Sequence, residues 1–270
     1  MASILLWKSL LWGVIVFVVF IIGTAGSGKS TLTSTLSNWL EEHEMSTLTV
    51  NLDPAVDELP YEPDVDVRDY ITVDYVMRKY KLGPNGAIIA AVDMIASKIE
   101  EIADEINSYK AGYVLIDTPG QMELFAFRSV GEYIVSYLKG ERAATVYLVD
   151  AALAIRPSSF LSSMLLAASI HYRFGIAHVN VLNKIDLIDE EQVKRINNWL
   201  EDLDNLRYEL LRERKDLSRE VNESILNALK DYLSAFELIP ISAKTGKGIE
   251  NLYAVLQRIY VGGEDYVILP

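Results

Sequence analysis

From Val14 to Ile22 the chain is apolar without interruption, rich in β-branched and aromatic residues, and the run stops at a glycine. An amphipathic helix or a half-exposed strand would interleave polar positions. The unbroken run therefore predicts a strand covered on both faces, as in a parallel sheet between helical layers. Similar short runs recur at Thr47–Leu52, Tyr113–Ile116, Ala144–Val149, Val179–Leu182 and Leu238–Ile241. Between them, helical spacing predicts Lys29–Glu42, Ala87–Asn107, Ser129–Leu138, Ser158–Arg173, Glu190–Leu203, Asn205–Phe236 and Ile249–Tyr260. The alternation predicts a three-layer α/β fold with a mostly or all parallel sheet.

Two stretches exceed what a plain crossover needs: the Pro-punctuated segment from 54 to about 86, and the charged helical segment from 190 to 236. Both read as insertions on a single domain spanning residues 14–262, followed by a tail at 263–270. The second reads as a solvated cap, with an apolar side able to form a groove for a client segment. Residues 1–13 form an apolar extension. It docks on the fold, is disordered, reflects a start site placed too early, or anchors the chain at a membrane surface. The last reading is not favoured, because no spacer separates the apolar run from the loop at Gly23.

Half of the 270 residues are apolar, enough for one large core. The formal charge of −13 opposes a broad contact with a phosphate backbone, which makes nucleic acid an unfavoured partner. Cysteine is absent, which excludes thiolate metal sites and thiol nucleophiles. That absence fits a reducing, cytoplasmic setting, and equally fits loss of cysteine in a hot or oxidising habitat. His43, His171 and His178 lack metal-ligand spacing and read as core-edge or surface residues.

Residues 23–30 read GTAGSGKS and lie between a predicted strand and a predicted helix, the context required of a phosphate-binding loop. Gly23, Thr24, Ala25, Gly26, Ser27 and Gly28 supply backbone N–H groups converging on an anion at the helix N-terminus. Lys29 reaches the outer phosphates, Ser30 offers a hydroxyl to Mg²⁺, and Thr31 follows it. The strand ending in Asn183-Lys184-Ile185-Asp186 reads the base. The Asp186 carboxylate accepts from N1–H and the 2-amino group of guanine, Asn183 meets another edge, and the Lys184 stem lies along the ring. Adenine would leave that carboxylate unpaired. Ser242-Ala243-Lys244 follows the last strand and offers a backbone N–H to the 6-oxo group. In Asp117-Thr118-Pro119-Gly120-Gln121, the Asp117 carboxylate holds Mg²⁺ through water, the Gly120 N–H meets the γ-phosphate, and Gln121 orients water.

Taken in order, GTAGSGKS, NLDPA (51–55), Gly83-Pro84-Asn85, DTPGQME (117–123), NKID and SAK resemble the GPN-loop GTPases. The resemblance implies a P-loop GTPase core with GTP or GDP and Mg²⁺ as ligands. It further implies a homodimer, or a heterodimer in eukaryotes, in which the inserted loop reaches the neighbour's nucleotide. On it, Asn85 acts near the partner's γ-phosphate, and Asp53, Gln121 and Glu123 hold the attacking water and the outer shell of the metal. Arg68 is a candidate finger that no motif assigns. The family implies work in assembling or targeting protein complexes, RNA polymerase in eukaryotes. The preferred reading is thus a GTP-gated homodimeric switch with an unknown protein client. A plain GTP-turnover enzyme and a membrane-anchored GTPase are the alternatives.

Overall fold

The computed structural model describes residues 16–213 and 218–261. The expectations for residues 1–13 and 263–270 lie outside this range. Seven strands form one sheet: β1 (Phe17–Gly23), β2 (Thr47–Asn51), β3 (Val65–Asp66), β4 (Tyr113–Asp117), β5 (Arg142–Asp150), β6 (Ala177–Asn183) and β7 (Leu238–Pro240). Their order is β3-β2-β4-β1-β5-β6-β7, and every pairing is parallel.

The apolar run behaves as its composition requires. Successive side chains of a strand point to opposite faces, so Val18, Phe20 and Ile22 of β1 enter one core while Val19 and Ile21 enter the other. Helices α1 (Lys29–Glu42) and α11 (Ile249–Val261) line the second core. The first is lined by α3 (Pro84–Ser108), α5 (Ser129–Leu138) and α7 (Pro157–Phe174), together with α8 (Glu190–Glu201), α9 (Leu203–Glu213) and α10 (Ser218–Ala235). The short helices α2 (Val73–Tyr80), α4 (Met122–Ala126) and α6 (Ala151–Ala154) complete the set.

Several sequence expectations need correction. The segment 190–236 is not a solvated cap: Trp199, Leu206, Leu210, Leu226, Leu229 and Leu233 are buried in the main core. Trp199 is wholly enclosed against Phe160, with ring centroids 5.3 Å apart. Within 205–236 the described helical residues are those of α9, to Glu213, and of α10, from Ser218, and the stretch between them lies outside the described residues. His178 is buried, its ring nitrogens paired with Thr145 and Asn180, and burial lowers its pKa to about 4. β3, α2, α4 and α6 were not foreseen; three of these four hold five residues or fewer, too short for a periodic signal.

Helix α3 starts three residues before its predicted beginning. Gly83 is its extended N-cap (φ −70°, ψ 166°) and Pro84 occupies the first turn, where a missing N–H costs nothing. Asn85 is therefore a first-turn residue at the tip of a 25-residue helix. No helix among the described residues is long and apolar enough to cross a membrane.

Candidate nucleotide-binding site

Parallel register brings the strand ends together. Gly23 pairs with Leu148, Asn51 with Asp117, and Asp150 with Asn183, so the motif residues share the carboxyl edge of the sheet. Open α/β sheets bind ligands outside that edge.

The phosphate loop joins β1 to α1. Gly26 (φ 75°) and Gly28 (φ 98°) adopt left-handed conformations that favour glycine. A Cβ on Gly28 would also lie 2.5 Å from the Asn183 amide nitrogen, so the position is closed to side chains twice over. Ala25 and Gly26 are exposed, Thr24 and Thr31 half-buried, and Ser27 buried with its hydroxyl unpartnered among the described residues. Lys29 is 6% exposed, and its ammonium donates to the carbonyls of Gly23 (3.1 Å), Thr24 (3.3 Å) and Gly120 (3.4 Å). Burial pulls its pKa below the ordinary lysine value, against the opposing pull of Asp117, Asp53 and Glu123.

Asp117 ends β4 beside this lysine and is 1% exposed. Its Oδ2 accepts a hydrogen bond from the Tyr61 hydroxyl at 3.2 Å, while Oδ1 is buried and unpartnered among the described residues. Burial raises the carboxyl to about 6, partly offset by Ser30, Lys29 and Tyr61. Burial and the nearby Asp117 likewise push the Tyr61 phenol well above its ordinary value. Ionised Asp117 costs the folded chain more than the unfolded one, so nucleotide-free stability falls as pH rises from 3.8 toward about 6. Asp117→Asn is expected to flatten that slope and to raise the nucleotide-free melting point at about pH 8, by the equivalent of roughly 1–3 kcal/mol. Thermal melts at about pH 5 and about pH 8 check this; an unchanged slope contradicts the burial assignment.

The oxygen donors here, the Ser30 hydroxyl and the orphaned Asp117 oxygen, suit a hard cation such as Mg²⁺. Among the described residues no cluster of three or more His, Cys, Asp or Glu side chains could hold a metal alone. The residues thus fit an ion that arrives with phosphates and takes few protein ligands.

Asp53 is braced rather than free. Its Oδ2 accepts the Gly120 N–H at 2.6 Å, the same N–H expected to meet a γ-phosphate, and its Oδ1 accepts from Ala55 N at 2.9 Å. Asn51 supports it, accepting from Asp53 N and donating to Asp66. Arg68 is not poised as a finger: its guanidinium is paired with Asp66 and donates to the Val56 and Asp57 carbonyls. Gln121 occupies the N-cap position of α4 without a side-chain cap bond and Glu123 lies in its first turn, both exposed.

On the base side, Asn183 has a bracing part that the motif alone did not suggest. It is 1% exposed, its amide donates to Ser27 O at 2.8 Å, and its oxygen accepts from Ala243 N at 2.9 Å. It thereby ties the phosphate loop to the Ser242–Lys244 loop, and its second amide N–H stays available to a base edge. The Ala243 N–H is engaged by this brace. Asp186 is exposed, with Oδ1 fixed by the Ser242 hydroxyl at 2.6 Å. Lys184 (φ 67°) is held by Asp150 at 2.6 Å, and Lys244 is exposed. Tyr61, Asn51 and Asp150 were missed by sequence reasoning. Asn51, which opens the NLDPA motif, and Asp150, a carboxylate ending a strand, carried signals that could have found them, and Tyr61 carried none. Gly83, Pro84 and Asn85 are exposed, and a Cβ at Gly83 would meet open space.

A lysine-bearing phosphate loop, a buried aspartate one strand away and an Asn-Lys-x-Asp strand end on one sheet edge define a P-loop GTPase. Comparison with known proteins narrows the class. A protein-family model described as "Conserved hypothetical ATP binding protein" matches residues 21–261. The GPN-loop GTPase PAB0955 of Pyrococcus abyssi is 36% identical over 90% of this chain and 97% of that protein. GPN-loop GTPase 3 of Dictyostelium discoideum is 33% identical over 92% and 88%. The chain covers 92% of itself but spans only 62% of the length of GPN-loop GTPase 1 from the same organism, at 31% identity. The crystal structure of apo PAB0955 superposes with a TM-score of 0.81, at 34% identity over 90% of this chain and 97% of that one. The chain belongs to the GPN-loop GTPase family.

Proposed function

We propose that this protein binds and hydrolyses GTP as a Mg²⁺-dependent homodimeric switch, with the Gly83–Asn85 tip serving the nucleotide of the partner. The placement of that tip carries the reading. Helix α3 is 25 residues long, roughly 37 Å by helical rise, and its end at Ser108 leads back to the start of β4 at Tyr113. Its beginning therefore belongs at the carboxyl edge. There α2 packs on it through Ile71, Val76, Ala87 and Ala91, and Val73 N donates to Pro54 O, next to Asp53. The amide of Asn85 stands exposed on this rigid hairpin, without a hydrogen bond to its own phosphate loop among the described residues. A stiff polar tip of that kind suits a second subunit.

Hydrolysis on this reading is catalysis by placement and charge. Lys29 and the loop N–H groups receive the triphosphate. Ser30 and Asp117 would hold the metal, which would supply neutralisation of charge developing on the outer phosphates. Asp53, through Gly120, sets the position of Gln121 and Glu123, which orient the attacking water. Since Gly120 N–H is held by Asp53, a γ-phosphate competes for it, and that exchange is the element a GTP-to-GDP change acts upon. Its consequence is the capture and release of a protein client during complex assembly.

Asn85→Ala is expected to leave GTP affinity within about twofold while slowing hydrolysis by roughly tenfold to a hundredfold. Mixed dimers of Asn85→Ala with Lys29→Ala test action across the dimer: one intact site in two restores turnover. No restoration contradicts the trans role. Size-exclusion with light scattering checks the dimer, and pull-downs with GDP and with a non-hydrolysable GTP analogue check the switch. Client capture in one nucleotide state only is the expected result; brisk turnover with no state-dependent client leaves a plain GTPase.

A further inference from the structure

We infer that Tyr61 is a positioning residue for Asp117, holding its carboxylate in the rotation from which the free oxygen serves the nucleotide-borne metal. The inference rests on the Mg²⁺-dependent GTPase reading and deepens it. Asp117 has two oxygens in an enclosed site. Oδ2 is occupied by the Tyr61 hydroxyl at 3.2 Å, and Oδ1 is buried without a partner among the described residues. The Ser30 hydroxyl also lies beside the carboxylate and favours its charged form, but Oδ1 meets no partner at hydrogen-bond geometry among the described residues, so with Oδ2 held by Tyr61 it presents a defined acceptor instead of a rotor. A buried acceptor left bare costs stability, so its retention points to a ligand it meets in the working state.

Tyr61 is placed to do this because the strap that carries it is fastened on both sides. One residue before it, the Pro60 carbonyl accepts from Ser34 Oγ on α1 at 3.2 Å. Three residues after it, Asp64 Oδ2 accepts from Thr49 N at 2.7 Å and from the Thr49 hydroxyl at 2.9 Å, and Asp64 N donates to Thr49 O at 3.0 Å. Pro60 and Pro63 restrict the backbone between these anchors. The ring is half-buried, and its hydroxyl crosses 56 residues of sequence to reach β4. A phenylalanine would fill the same volume and lack only the donor.

Tyr61→Phe tests the role through metal dependence rather than activity alone. The probes are GDP and Mg²⁺, with nucleotide retention followed as Mg²⁺ is titrated. The expected result is an Mg²⁺ requirement raised about tenfold, equivalent to about 1.4 kcal/mol, with GDP affinity in EDTA unchanged. Ser34→Ala, which loosens the strap while keeping the hydroxyl, is expected to shift the requirement the same way by about twofold to threefold. An unchanged Mg²⁺ requirement in Tyr61→Phe overturns the inference, and so does an equal loss of metal-free GDP affinity, which would mark a general packing role. If the unaltered protein itself shows no Mg²⁺-dependent nucleotide retention, the GTPase reading fails instead, and the two failures are told apart.

Discussion

Lys29→Ala is expected to abolish measurable GTP and GDP binding while the chain remains folded. The ammonium is nearly enclosed and gathers three backbone carbonyls, from Gly23, Thr24 and Gly120, at the mouth where phosphates would enter. Removing it deletes a charge-assisted donor and also leaves those oxygens facing an anion. Hydrogen bonds to charged groups are worth roughly 1.5–3 kcal/mol each, so losing two or more phosphate contacts weakens binding by about a thousandfold or beyond. Tight GTP affinity in a folded Lys29→Ala protein would overturn the phosphate-site assignment.

Asp186→Asn is expected to turn a guanine site toward xanthine. The carboxylate is held by Ser242 through Oδ1, and it has no ion-pair partner within 4 Å among the described residues, which leaves it available to two donors on one purine edge. An amide in its place keeps one acceptor and adds one donor. That donor faces the guanine 2-amino group badly and the xanthine 2-oxo group well. Losing a paired carboxylate contact costs on the order of a hundredfold to a thousandfold in GTP affinity, and xanthosine triphosphate gains what GTP loses. Competition binding with the two triphosphates checks this, and an undiminished preference for GTP would contradict the role of Asp186.

How much of this was legible before the structure follows from how far each residue lies from its partners. The phosphate loop could be read because its function needs glycines and a lysine within eight consecutive positions, flanked by a strand and a helix. The parallel sheet could be read because strands buried on both faces carry no polar interruptions. Tyr61 could not be found: it lies in a Pro-rich stretch without periodicity, and only the fold carries it to Asp117. Asn183 was read as a base contact because the motif names it, and its added part as a brace between two loops came only from the structure. The charged composition of 190–236 concealed Trp199 and the leucines of α9 and α10, since a helix can bury a narrow stripe while most of its positions are polar. The Gly83–Asn85 tip had a meaning only through its family likeness, and its place in the first turn of α3 came from the structure.

The central claim is that the site below the Lys29 loop takes a triphosphate whose base is chosen by Asp186, and the ATP wording of the matching family model makes the alternative concrete. Calorimetry of the purified protein with Mg²⁺ measures it directly. The account predicts uptake of one GTP per chain, with ATP weaker by at least about a hundredfold; no uptake of GTP, or ATP bound as tightly, would contradict it.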